Sequence, residues 1–231
     1  GSDIVAGRWN EEVYAKLDPS AANGLILHIY QGSGLGSCSP VHGLGEGSWG
    51  SAADQAKQYA ALTTAGGVDK MLDVPRRVLR NITDAHTAPA QLRIVVTEFN
   101  MFDRCGPVRL TWAHGLYVAI MAQRLLAHER ISLAAYHALG GNPMFTALYT
   151  FNSTLSGLLL NGVAAPPTPP YAPTAPGLVI ASLNRASQGA VIAREQTFPA
   201  LANVTGFVFT DGESPVGLRL VNSGATAAEI A

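Results

Sequence analysis

Charge, cysteine and long apolar runs are all scarce in this chain. Asp, Glu, Lys and Arg make up 13% of its 231 residues, and the net charge is −1. Phosphate-rich partners need concentrated Lys and Arg, so a nucleic-acid partner is not expected. No stretch reaches the ~18 uninterrupted apolar residues of a membrane-crossing helix, so no membrane span is expected. The two cysteines, Cys38 and Cys105, each follow a predicted strand in a loop containing Gly. They are expected to form a disulfide if those strands are neighbours; two free thiols are the alternative. His42, His86 and His128 have no metal-like spacing with Asp, Glu or Cys, so neither a metal nor a cofactor is expected. The segment Gly32-Ser33-Gly34-Leu35-Gly36 lacks the Lys and the glycine spacing of a phosphate-binding loop.

What the chain does have is apolar content, at 48% of its residues, which marks it as globular. Its length suits one large domain or two small ones. Three N-x-S/T sequons occur, at Asn81, Asn152 and Asn203. Ten Asn residues should give roughly one by chance at ordinary Ser and Thr frequencies. The excess points to glycosylation and to a secreted or extracellular location.

Periodicity predicts a buried strand over 25–30, a long Gly/Ser-rich loop over 31–51, and helices over 52–65 and 69–80. A strand over 92–97, a loop over 102–107, a helix over 110–127 and a strand over 131–139 follow. Strands alternating with helices across long connections are the pattern of a parallel α/β sheet, as a barrel or a doubly wound sheet. Polar residues stand at the carboxyl ends of the strands: His28 and Tyr30, Glu98 and Asn100, Tyr136 and His137. In both architectures that edge hosts active sites. A carboxylate there, as in "RIVVTEFNMF", is costly to bury unless it is paired or used. After Asn161 the character changes. Residues 165–177 hold six prolines in thirteen positions, which reads as an extended connector. Short apolar runs at 177–183, 190–193, 206–210 and 216–221, parted by turns such as Asp211-Gly212, read as antiparallel strands.

"DIVAGRWNEEVYAKL", "GLILHIYQGSG" and "VVTEFNMF", followed by a long helix and a Pro-rich junction into β structure, resemble the α-L-arabinofuranosidases of glycoside hydrolase family 51. The resemblance implies the C-terminal part of a (β/α)8 barrel at 3–160, a connector at 161–176 and part of an antiparallel β-sandwich at 177–231. It implies a retaining mechanism with Glu98 as the nucleophile. His28 and Tyr30 match a His-x-Tyr pair lining the sugar subsite, and Phe99 and Asn100 match the residues after the nucleophile. Asn100, Phe102 and His137 are then expected to contact carbohydrate. Trp49, in the Gly-rich loop, is a candidate for stacking on a sugar ring, whereas Trp112 is expected to pack at a helix start.

The match departs from the family at its acid/base, a Glu following an Asn at the end of the fourth strand. Asn10-Glu11 imitates that pair in a region resembling a later connection. A full barrel takes ~250 residues, so a partner is expected: the N-terminal half of the barrel, in the same or a companion chain. The leading expectation is a retaining glycoside hydrolase acting on arabinose-containing or related polysaccharide, of which this chain is a fragment lacking the acid/base and inactive alone. The alternative is a hydrolase-derived structural or carbohydrate-binding component of an extracellular assembly.

Overall fold

The computed structural model describes residues 16, 18, 21, 24–32, 93–102, 112–140, 146–148, 171–190, 192–198, 201 and 204–222. Three strands, β1 (Gly24–Gly32), β2 (Arg93–Phe102) and β3 (Ile131–Tyr136), form one sheet in the order β1-β2-β3. Both pairings are parallel. Helix α1 (Trp112–Ala127) connects β2 to β3. Leu27, Ile29, Ile94, Val96, Phe99 and Met101 turn to one face and join Tyr117, Val118, Met121 and Leu125 of α1 in the core. The opposite face is more open: Ile26 is 68% exposed and Leu133 50%. Among the described residues no helix is long and apolar enough to cross a membrane.

One irregularity in β2 sets the direction of its side chains. Leu27 pairs with Val96, but the next residue, His28, pairs with Glu98. The extra residue also shows against β3, where Val96 pairs with Ala134 and Phe99 with Tyr136. Strand side chains alternate faces, so an unbroken strand would put Glu98 on the side of Ile94 and Val96. The inserted residue reverses the parity, as β-bulges do. Phe99 and Met101 then continue the buried row, and Glu98 turns to the open face beside His28 and Tyr30.

Residues 177–183, read from sequence as a strand, are helical: α2 runs Ala175–Ala186. A short apolar run does not distinguish a strand from a buried helix. Here the local chemistry decides. Thr174 is the N-cap, its hydroxyl accepting from Gly177 N–H at 3.1 Å, and Pro176 sits in the first turn. Val179 and Leu183, four apart, are buried while Leu178 is exposed, which is helical spacing. The Thr174 hydroxyl also donates to Thr146 O at 2.9 Å, tying α2 to the segment after β3. Gly177 lies so close to that segment that an added Cβ would stand 2.0 Å from Ala147 O.

The last three strands, β4 (Ile192–Thr197), β5 (Val204–Thr210) and β6 (Pro215–Asn222), form an antiparallel meander in chain order. β4 starts later than the expected 190–193 and contains the exposed Arg194, Glu195 and Gln196, because pairing with β5 rather than apolar content holds it. The turn at Asp211-Gly212 is where the sequence placed it, and Gly212 has φ 112°. This sheet packs on α1 and α2, and Phe207, Phe209 and Val221 belong to the same core cluster as β1, β2 and α1. Gly217 touches the end of α2, where a Cβ would come within 1.9 Å of Ala186 O.

Candidate active site

Parallel pairing puts all three carboxyl ends of the first sheet at one edge. Register then brings residues distant in sequence into contact. The Tyr30 hydroxyl donates to Glu98 Oε2 at 2.5 Å, across 68 residues of chain. His137 Nδ1 lies 3.0 Å from the same hydroxyl oxygen. The phenol has one proton and gives it to the carboxylate, so Nδ1 of His137 carries a proton and donates to the phenol oxygen. The two rings meet edge to face with centroids 6.3 Å apart. His28 Nδ1 stands 3.5 Å from Glu98 Oε2, an ion pair whenever that imidazole is protonated.

These neighbours act on Glu98 in one direction. The Tyr30 hydrogen bond, above all, holds its carboxyl below the usual carboxylate range; partial burial opposes this, and His28 and His137 add to it. The Tyr30 phenol moves the other way, pushed well above its usual range by burial, by its bond to Glu98 and by that negative charge. At neutral pH the pair is therefore carboxylate and phenol, with one side of Glu98 open to solvent at 33% exposure. Arg93, the one basic residue of β2, is at its other end, donating to Glu129 O at 3.1 Å.

Asn100, two residues after Glu98 on β2, is completely buried. Its Oδ1 accepts from Met101 N–H and from His114 Nε2, each at 2.7 Å, and its Nδ2 donates to His137 O. Tyr136 turns its ring against Phe99, centroids 6.0 Å apart. Burial raises the Tyr136 phenol above its usual range, against the pull of a side-chain hydrogen bond to Asn100. Phe102 ends β2, its backbone paired with Gly32. Trp112 opens α1 and is 62% exposed, rather than packed as expected. Trp49, Cys38, Cys105, Asn81, Asn152, Asn203, Asn10 and Glu11 lie outside the described residues, as do the helices expected at 52–65 and 69–80.

Of the residues singled out in sequence, His28, Tyr30, Glu98, Asn100 and His137 are thus gathered at one edge. His114, inside α1, joins them from the helix side. It is fully buried against Asn100, and burial alone pushes its imidazole down to about 3, so it is neutral. Its position three residues into α1 carries no local signal of that role. The remaining described acidic residues, Asp18, Glu129, Glu195, Asp211 and Glu213, precede β1 or β3 or belong to the second sheet, away from this edge. An ionised, partly exposed carboxylate held by a phenol and flanked by two imidazoles is suited to nucleophilic attack or to binding a polyhydroxylated ligand. Searches against protein-family models, curated proteins and solved structures returned no match to this chain.

Proposed function

We propose that this chain is part of a retaining glycoside hydrolase of the α-L-arabinofuranosidase type, with Glu98 as the nucleophile. The observation that carries the reading is the Tyr30–Glu98 hydrogen bond at the carboxyl edge of a parallel sheet. It keeps the carboxylate ionised and fixes the oxygen that would attack the anomeric carbon. His28 and His137 border the place where a sugar ring would sit. The open face bearing Ile26 and Leu133 supports a companion set of strands, since parallel sheets are usually covered on both sides. Retention also needs a second carboxyl group ~5–5.5 Å away. That acid/base would come from the N-terminal half of the barrel, in the same or a companion chain. The sequons support a secreted glycoprotein.

A substrate with a strongly acidic leaving group needs no protonation to depart, which makes the nucleophile testable apart from the acid/base. Incubation with 2,4-dinitrophenyl α-L-arabinofuranoside should release dinitrophenolate and add one pentosyl unit to the peptide containing Glu98, detected by mass spectrometry. Glu98→Gln should abolish the adduct and lower turnover on the order of 10⁴-fold or more. Arabinan-oligosaccharide binding that survives in Glu98→Gln, with no adduct in the parent protein, would instead identify a carbohydrate-binding component.

A further inference from the structure

We propose that His114 and Asn100 are a buried positioning pair, which holds His137 against Tyr30 and so sets the hydrogen bonding of Glu98; its relevance to catalysis rests on the reading of Glu98 as nucleophile. Asn100 is 0% exposed, and both ends of its amide are engaged within the protein. It therefore acts through its neighbours within the protein and has no free face for a sugar. Its Oδ1 bears no hydrogen, so His114 must present Nε2–H to it. With Oδ1 bound by both His114 and Met101 N–H, the amide cannot flip, and Nδ2 is aimed at the His137 carbonyl.

The His137 backbone is then held on both sides. Its N–H donates to Phe99 O at 3.3 Å and its C=O accepts from Asn100. A backbone fixed at both groups leaves the ring few positions, and the one adopted puts Nδ1 3.0 Å from the Tyr30 oxygen. A donor on that oxygen polarises the phenol, so that its own proton is given more strongly to Glu98. The chain of contacts runs from the interior of α1, through the end of β2, to the end of β3 and back across to β1. Each link is a hydrogen bond between named atoms.

The test uses the full chain labelled with ¹⁵N-histidine. The ring nitrogen shifts of His137 and the low-field proton of the Tyr30–Glu98 bond are read by NMR in the parent, His114→Leu, His114→Gln and Asn100→Asp. His114→Leu should move both signals, and His114→Gln, whose amide can donate to Asn100 Oδ1, should return them. Asn100→Asp replaces the donor to His137 O by an acceptor and should move them even if His114→Leu does not fold. Signals unmoved in a folded His114→Leu or Asn100→Asp would overturn the pair. Where the parent hydrolyses the aryl arabinofuranoside, His114→Leu should lower kcat by up to about 100-fold with little change in KM, and His114→Gln should recover it. A parent with no turnover but responsive signals would remove the nucleophile reading and leave the pair standing. Turnover with unresponsive signals would remove the pair alone.

Discussion

The parallel sheet β1–β3 and the antiparallel sheet β4–β6 each have three strands and each lie against α1 or α2, yet they use their carboxylates differently. Asp211 and Glu98 are both held below the usual carboxylate range. For Asp211 the cause is the backbone N–H groups of Ser214 and Glu213, at 2.8 and 3.0 Å, within its own turn. For Glu98 it is the hydroxyl of Tyr30 from a neighbouring strand. The first arrangement is closed within a few residues and shapes a hairpin. The second exists only when two strands pair in register, and it leaves part of the carboxylate open. Parallel strands place every carboxyl end at one edge, so ionisable groups gather there. A meander reverses at each turn and scatters them: Glu195 pairs with Arg124 of α1, while Arg219 is buried, where desolvation lowers its guanidinium to about 10.

Four measurements would break or sharpen that contrast. The two sheets share one core cluster, so they should unfold together. Phe207→Ala should cost about 3–5 kcal/mol and abolish near-UV and far-UV signals in a single transition. Two separated transitions, with the first sheet unaffected, would divide the molecule in two. Gly217→Ala forces a methyl against the Ala186 carbonyl, a backbone group that cannot swing aside. It should lower stability by about 1–3 kcal/mol, read as a fall in Tm, and an unchanged Tm would show that α2 and β6 are not in close contact.

Tyr30→Phe tests the first sheet alone. It removes the main cause that lowers the Glu98 carboxyl. A depressed carboxyl pKa contributes stability above the unfolded value, and that contribution is lost as pH falls through the folded one. The variant should therefore shift the Glu98 titration, followed by ¹³C NMR, to higher pH and weaken the acid-side dependence of stability. Asp211 should titrate as before. The smallest effect belongs to the link between α1 and the second sheet. Arg124→Ala breaks a 2.8 Å ion pair whose side chains are 29% and 32% exposed. Solvent screens such a pair, and the loss should be under ~1 kcal/mol and smaller still in high salt.

Much of the described fold can be read from local pattern. The β-branched and apolar run at 94–96, the apolar stripe of α1 and the Asp211-Gly212 turn all state their structure within a few residues. Helix α2 carries local signals in Thr174 and Pro176, but its apolar run at 177–183 reads equally as a strand and the prolines before it as an extended connector. His114 was not legible, because a histidine inside a helix looks the same whether it faces water or a buried amide.

Residue order and apolar spacing by themselves determined β1, β2, β3 and α1, and that Glu98, Tyr30 and His137 stand near strand ends. Only the tertiary structure decided that they meet. Simple alternation along β2 would send Glu98 into the core beside Val96. One inserted residue, visible only as a slip in pairing with both neighbours, turns it to the open face. The physical reason is that side-chain direction in a strand has a period of two, so a single extra residue reverses it. Where that residue is placed is settled by how two other strands pair with β2, and no local pattern encodes it.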